Sequence, residues 1–186
     1  MSPVQLEYLF AHALPSASTS GKTIVDVGSR LGAVLYGAYE YTKAAKIVGI
    51  EFSKYFVDVQ QQIVSKYNLG DRIELVCNDV RQCKPILSTA NVIILNNVFQ
   101  FFAMSIVHKA IWQAIISSLQ AGTILVTVPA LHDQLLQAKV PIDVVGEGKL
   151  VEITPSLDAL PPRFGAAHEE LAVFHIYRVT KTLSSQ

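Results

Sequence analysis

Short apolar runs that alternate with helical segments constrain the fold of this chain most. Five runs have the length and composition of buried strands, at residues 23–27, 46–51, 72–77, 91–95 and 123–128. Four of them are apolar almost throughout, which is typical of parallel strands covered on both faces. Apolar residues at helical spacing predict helices at residues 3–14, 31–42, 53–68 and 105–119. The alternation predicts an α/β fold, with a doubly wound, mostly parallel sheet and helices on both faces.

The last third of the chain follows another pattern. Residues 144–153 and 171–180 are two further strand-like runs without a good helix between them, and residues 155–165 read as a Pro/Gly-rich loop. Two strands joined without a crossover helix pair antiparallel or lie apart. No linker interrupts the chain, so we expect one domain, built from an N-terminal helix and loop (1–22), βα units (23–128) and C-terminal strands and loop (129–186).

Composition narrows the classes of function. Of the 186 residues 51% are hydrophobic and only 16% are charged, which predicts a folded domain. Fifteen basic and fifteen acidic residues cancel and form no basic block, which argues against a nucleic-acid partner. The most apolar region, residues 98–116, is too interrupted for a membrane span. We expect a soluble cytoplasmic protein, with the nucleus left open, whose apolar surplus fits either a homodimer contact or a two-sided sheet core.

The two cysteines argue against a metal centre. Cys77 and Cys83 are spaced C-x5-C, and no second pair of ligands accompanies them. We therefore predict no metal site. Cys77 falls in a strand-like run and is expected to be a buried thiol.

Polar residues stand where the predicted strands end. In parallel sheets these ends share one edge, where ligands bind at the topological switch point. That edge would carry Asp26 and Gly28, then Glu51, Asp79 and Asn96. An acid that ends the second strand, as Glu51 does, is placed to accept hydrogen bonds from both hydroxyls of a ribose. The alternatives are an exposed strand-end acid for Glu51 and an ordinary turn for Gly28 and Gly32.

The ordered set of these motifs resembles class I S-adenosylmethionine-dependent methyltransferases over residues 23–180. The first motif resembles V-D-V-G-S-x-x-G at residues 25–32. The resemblance implies a seven-stranded sheet with an antiparallel last strand and S-adenosylmethionine as cofactor. It also implies that Glu51 binds the ribose, that Phe52 packs on the adenine, and that Asp79 with Val80 meets the adenine edge. The residues it assigns to the cofactor are Asp26, Gly28, Ser29, Arg30, Gly32, Glu51, Phe52, Asp79, Val80 and Asn96.

The fourth strand carries the implied acceptor site. Residues 96–99 read Asn-Asn-Val-Phe, where amino-group methyltransferases often have Asn/Asp-Pro-Pro-Tyr/Phe. Asn96 and Phe99 keep the outer positions of that motif, and both prolines are missing. The resemblance implies transfer to a nitrogen, oriented by Asn96 and walled by Phe99. A weaker likeness to the non-SET histone lysine methyltransferase domain adds a protein lysine to the candidate acceptors, beside small molecules, although that family's basic extension is absent.

Arg30 is the main departure from a cofactor turn. A glycine there would let the backbone approach the cofactor, whereas an arginine is expected to need a negative φ. Its side chain could pair with the cofactor's terminal carboxylate, lie solvated at the rim, or block the pocket.

Two rival functions stay open. One is a methyltransferase-like scaffold without turnover that binds a protein partner. The other is an NAD-dependent oxidoreductase, which would share the glycine turn but typically has the motif Gly-x-Gly-x-x-Gly.

Overall fold

Seven strands form one sheet in the computed structural model, which describes residues 1–96, 105–141 and 148–181, without the side chains of Ser105 and Ile106. The strands are β1 (Thr23–Val27), β2 (Lys46–Glu51), β3 (Ile73–Cys77), β4 (Val92–Asn96), β5 (Ile124–Val128), β6 (Leu150–Glu152) and β7 (His175–Val179). Their order across the sheet is β3-β2-β1-β4-β5-β7-β6. Strands β1 to β5 pair in parallel, and β7 pairs antiparallel with both β5 and β6. The predicted fold class is confirmed.

Eight α-helices lie in the described residues. They are α1 (Pro3–Glu7), α2 (Ser16–Thr19), α3 (Ala33–Tyr41), α4 (Lys54–Lys66), α5 (Lys84–Thr89), α6 (Ser105–Ile116), α7 (Leu131–Gln137) and α8 (His168–Leu171). A π-helix over Tyr8–Ala13 continues α1, so the predicted N-terminal helix is present with a wider second half. Helix α1 begins with a capping box, in which Ser2 and Gln5 satisfy each other's backbone N–H groups.

Two apolar cores lie on the two faces of the sheet, because successive strand side chains point to opposite faces. On one side, the α3 face, Ile24 packs with Leu35 of α3 and Val64 of α4. On the other side, the α6 face, Val25 packs with Trp112 of α6. Each large apolar side chain that is fully buried contributes about 1.5–3 kcal/mol to stability. Two-sided burial explains why these strands are apolar in sequence.

Four short helices were not expected from the sequence, and the last of them, α8, lies in a part of the chain to which no helix was assigned. Helix α2 lies in the predicted loop at 15–22, and α5 occupies the predicted connector at 85–89. In α5 the proline is in the first turn, where it starts a helix instead of breaking one. Helix α7 follows β5 in a stretch to which the sequence assigned no element.

The C-terminal strands are shorter than predicted. The run at 171–180 begins its strand only at His175, because Leu171 ends α8. Within the run at 144–153, the described residues form a strand over Leu150–Glu152, and residues 144–147 are not among those described. The predicted loop at 155–165 contains two 3-10 turns, Leu157–Ala159 and Pro162–Ala167. In the described ranges no helix is long and apolar enough to cross a membrane.

The strand order places the switch point between β1 and β4. From β1 the chain proceeds outward through β2 and β3, and then returns to the other side of β1 to form β4 and β5. The helices that follow these two strands, α3 after β1 and α6 after β4, lie on opposite faces of the sheet. A crevice at the carboxyl edge of such a switch point is the general ligand site of open α/β sheets.

Candidate functional site

A cavity of about 930 Å³ opens at this carboxyl edge. Its size lies within the range of about 300–1,000 Å³ that is usual for small-molecule and cofactor sites. Nine of the ten predicted cofactor residues line it: Asp26, Gly28, Ser29, Arg30, Glu51, Phe52, Asp79, Val80 and Asn96. Gly32 does not line it, and Phe99 is outside the described residues. The sequence motifs and the cavity therefore converge on one site.

The turn after β1 is built from residues with positive φ. Gly28, Arg30 and Gly32 have φ angles of 72°, 46° and 82°. The expectation that Arg30 needs a negative φ is wrong: Arg30 has the left-handed conformation that non-glycine residues rarely adopt. The N–H groups of Gly28 and Ser29 both donate to the carbonyl of Ile50, at N···O distances of 2.8 and 3.2 Å, and so tie the turn to β2.

Gly32 has a structural reason to be glycine. It is the N-cap of α3, and a Cβ added to it would lie 2.5 Å from the hydroxyl oxygen of Tyr36. Its positive φ favours glycine, and a side chain there would also have to displace the end of the Tyr36 ring. We conclude that Gly32 shapes the start of α3 behind the cavity instead of lining it.

Glu51 joins the two loops that border the cavity. Its Oε2 accepts a hydrogen bond from the backbone N–H of Arg30 at 2.9 Å, and its Oε1 accepts from the N–H of Ser53 at 2.8 Å. The first donor belongs to the turn after β1, and the second belongs to the start of α4. Ser53 is the N-cap of α4 as predicted, although its side chain makes no capping hydrogen bond. Glu51 thus has a fixed position in the cavity wall, and each carboxylate oxygen keeps a further acceptor lone pair.

Asp26 is the buried acid of the site. It lies at the end of β1 and is only 2% exposed. Its pKa is well above the usual value, because burial disfavours the charged form and because Glu51 adds negative charge nearby. A cationic group that entered the cavity would favour the ionised form of Asp26.

Asp79 is paired with a residue that the sequence reasoning missed. The Arg81 guanidinium donates from Nη2 to Oδ2 at 2.5 Å and from Nε to both oxygens at 3.0 Å. These hydrogen bonds lower the pKa of Asp79, so its carboxylate is held ionised. Arg81 lines the cavity as well. The Asp-x-Arg spacing was visible in the sequence, but a pair two residues apart acquires meaning only from the 3-10 turn that follows β3.

Two phenylalanines border the cavity at the start of α4. Phe52 is 70% exposed. Phe56 also lines the cavity, and the Arg30 guanidinium lies 5.6 Å from the centre of its ring. The sequence reasoning missed Phe56, which lies in the first turn of α4.

Of the two residues predicted to contact the methyl acceptor, Asn96 is among the described residues and Phe99 is not. Asn96 is half-buried at the end of β4, pairs with Val128 of β5, and lines the cavity. Val107 and Ile111 of α6 add an apolar wall that the sequence reasoning did not identify. The arrangement brings the Asn96 amide into the same cavity as the acids Asp26 and Glu51.

The cysteine prediction needs correction. Cys77 is exposed, because it ends β3 at the edge of the sheet, while Cys83 is buried. Within the described parts of the chain, no group of three or more His, Cys, Asp or Glu residues could hold a metal ion.

Comparison with known proteins places the chain in a structural class. No family model matches it. A carboxy-S-adenosyl-L-methionine synthase from Pasteurella multocida (strain Pm70) is 28% identical over 124 residues, which are 64% of this chain and 50% of that protein. The chain therefore spans about half the length of this curated relative.

Solved structures share the whole architecture at low sequence identity. An RNA methyltransferase from Salinibacter ruber, in complex with S-adenosyl-L-homocysteine, has a TM-score of 0.57 and 16% identity, over 100% of this chain and 94% of that one. A SAM-dependent O-methyltransferase from Thermotoga maritima has a TM-score of 0.61 and 11% identity, over 100% and 68%. A precorrin 8W decarboxylase from Methanobacterium thermoautotrophicum has a TM-score of 0.56 and 15% identity, over 81% and 75%. The chain has the class I S-adenosylmethionine-dependent methyltransferase fold, so the resemblance stated above is confirmed at the level of the fold.

Proposed function

We propose that this chain binds S-adenosylmethionine and transfers its methyl group to a nitrogen. The observation that carries the proposal is Glu51, held by N–H groups from both bordering loops inside a cavity of about 930 Å³ at the switch point. Support comes from a curated relative named for a product derived from S-adenosylmethionine and from a fold neighbour that contains S-adenosyl-L-homocysteine. Glu51 is half-buried and bonded to both loops, which favours the proposal over the alternative of an exposed strand-end acid.

The residues around the cavity fit such a cofactor along its length. Glu51 would accept hydrogen bonds from the ribose hydroxyls, Phe52 would pack on the adenine, and Asp79 would accept from the adenine amino group. Asp26 would balance the ammonium group at the methionine end. When bound, the cofactor supplies a methyl group that its sulfonium has already activated. The chain's own task is then to align the acceptor, which is the main source of rate when chemistry needs little assistance.

Asn96 is the residue we assign to acceptor orientation. Its side-chain carbonyl would accept a hydrogen bond from the target nitrogen at the end of β4, with Phe99 packing against the acceptor. A protein lysine is one candidate and an amine on a small molecule is another. The fold neighbours bear names that refer to RNA, to O-methylation and to decarboxylation, so the acceptor class rests on the motif at residues 96–99.

Two variants separate cofactor binding from methyl transfer. Glu51→Ala should weaken binding of S-adenosylhomocysteine by about 1.5–3 kcal/mol, typical of hydrogen bonds to a charged acceptor. Asn96→Ala should retain that affinity and lose turnover. Calorimetric titration of both variants, followed by transfer of labelled methyl to a panel of amines and lysine peptides, measures the two effects. Binding of NAD in place of either nucleoside would contradict the proposal, and a proportional loss of affinity and turnover in Asn96→Ala would move Asn96 to the cofactor site.

The scaffold alternative is favoured by one contact. The Asp79 carboxylate, which should accept the adenine amino group, already receives four hydrogen bonds, all of them from Arg81. A protein that no longer bound the nucleoside could retain such a pair. The labelled-methyl assay decides between the two functions, because transfer by the wild type rejects a scaffold without turnover. The titration shows whether the adenine competes successfully with Arg81.

A further inference from the structure

A fully buried amide lies behind the cofactor turn. Gln60 of α4 has no exposed surface, although burying an amide is costly unless its polar atoms are hydrogen-bonded. Its Oε1 accepts a hydrogen bond from the hydroxyl of Ser29 at 2.9 Å, and its Nε2 donates to the carbonyl of Phe56 at 3.3 Å. The acceptor of Gln60 therefore binds the cofactor turn, and its donor binds its own helix.

Ser29 occupies a sensitive place in that turn. It is 5% exposed, lines the cavity, and stands between Gly28 and Arg30, both of which have positive φ. The next residue, Arg30, supplies the N–H that binds Glu51. Because peptide groups are rigid and planar, the position of Ser29 largely sets the direction of that N–H.

The space around the Ser29 side chain leaves it little freedom. Gly49 of β2 lies directly beneath it: a Cβ on Gly49 would be 2.9 Å from the Ser29 hydroxyl oxygen and 2.7 Å from Leu35 Cδ1. The hydroxyl is thus packed against β2 on one side and bonded to Gln60 on the other. Helix α4 and the cofactor turn are consequently joined twice, through Ser29 with Gln60 and through Arg30 with Glu51 and Ser53.

We propose that Gln60 is a positioning residue of the cofactor site, which holds Ser29 so that the Arg30 N–H points at Glu51. The inference rests on the proposed function, since the role of Glu51 as the ribose acceptor is part of that function. Gln60 itself is separated from the cavity by the turn that it supports.

A double-mutant cycle tests the proposal. Gln60→Met preserves the length of the side chain and removes its acceptor, and Ser29→Ala removes the donor. Each should weaken binding of S-adenosylhomocysteine by up to about tenfold, the usual range for one neutral hydrogen bond. If the two residues act through their mutual hydrogen bond, the double variant should bind S-adenosylhomocysteine no less tightly than the single variant of lower affinity. The proposal would be overturned if the losses of affinity in the two single variants added up in the double variant, or if the single variants bound as tightly as the wild type.

A matched control separates positioning from general destabilisation. Val64→Ala lies one turn further along α4, removes a side chain that is 4% exposed, and touches the core instead of the turn. It should lower stability and leave affinity for S-adenosylhomocysteine unchanged. An equal loss of affinity in Val64→Ala would mean that Gln60 acts only by stabilising the fold.

A second measurement needs no ligand. In amide NMR spectra of the unliganded protein, Gln60→Met should move the Arg30 resonance, whose N–H is bonded to Glu51, whereas Val64→Ala should leave it in place. An unmoved Arg30 resonance in Gln60→Met contradicts the positioning role. This readout keeps the two proposals distinguishable: a wild type that binds no nucleoside rejects the proposed function, while the Arg30 resonance still reports on Gln60.

Discussion

At the scale of single residues, Arg30 is where the chain departs most from a cofactor turn made of glycines. Its positive φ could not be read from the sequence, because left-handed backbone is unfavourable for arginine on local grounds. The contacts that accompany this conformation are long-range: Glu51, 21 positions away, accepts the N–H of Arg30, and the guanidinium lies near the ring of Phe56. A turn of this kind is specified by the sheet edge as much as by its own residues.

The Arg30→Gly variant isolates the guanidinium. Glycine adopts the same φ readily, so the turn and the N–H that binds Glu51 should persist. We expect affinity for S-adenosylhomocysteine to fall by about 1.5–3 kcal/mol, the range for a charge-assisted hydrogen bond to the cofactor's terminal carboxylate. Calorimetric titration measures the change. Lys54→Ala is the control, because Lys54 is an exposed cation paired with Asp58 on α4. Unchanged affinity in Arg30→Gly would make the guanidinium a solvated rim group, and tighter binding would make it an obstruction.

Asp26 gives the stability of the unliganded protein a defined pH dependence. Burial, and then repulsion from Glu51, raise its pKa well above the usual 3.8. The unfolded chain has the usual pKa and the native state has the raised pKa. At pH values between the two, the native state binds more protons than the unfolded chain, so stability falls as the pH rises through that window. Asp26→Asn, which stays neutral, should therefore be more stable than the wild type at pH 7, and this advantage should shrink as the pH approaches 4.

Urea denaturation at several pH values measures the effect, and Asp79→Asn provides a contrast of opposite sign. Arg81 lowers the pKa of Asp79, so Asp79 contributes stability that is present above its unfolded pKa and is lost as the pH falls through the folded one. Asp79→Asn should accordingly be less stable than the wild type at pH 7, by a small amount because the pair is partly exposed. An advantage of Asp26→Asn that is the same at all pH values would contradict the assignment.

At the scale of elements, strands were easier to predict than helices. The first five strands lie within one residue of their predicted bounds. Strands that are buried on both faces need apolar residues at successive positions, and such runs are easy to recognise in a sequence. Helices α2, α5, α7 and α8 have only four, six, seven and four residues and were missed. Helices this short owe their stability to tertiary packing, which leaves little periodicity to read.

Gly49→Ala tests the contact between β2 and the cofactor turn. The added Cβ would approach Leu35 Cδ1 and the Ser29 hydroxyl to less than 3 Å. Overpacking of this kind costs about 1–3 kcal/mol of stability, which urea denaturation measures. Gly165→Ala is the matched control, since nothing lies within 4 Å of its new Cβ, and its stability should change by no more than about 0.5 kcal/mol. Equal stability of the two variants would show that the turn yields easily to β2.

At the scale of the whole molecule, the sequence predicted where the site lies better than how its members contact each other. Parallel strands bring their carboxyl ends together, so Asp26, Glu51 and Asn96 could be assigned to one edge before their distances were known. The partners of these residues could not be assigned in this way. Arg81 and Gln60 acquire their roles from a 3-10 turn and from the packing of a helix onto a loop, which no periodic pattern records.

The two amide hydrogen bonds to Glu51 have a consequence for the entropy of ligand binding. A free glutamate side chain loses roughly 1.5–2 kcal/mol of rotamer freedom when it becomes ordered. Here the N–H groups of Arg30 and Ser53 impose that ordering during folding. In the proposed function, an incoming ribose would therefore meet an acceptor whose conformation is already set, and almost none of its interaction energy would be lost to immobilising the side chain. Under the proposed function, the same preorganisation would keep the carboxylate from turning away from a poorly matched sugar, so that selectivity for the ribose would be built into the folded backbone.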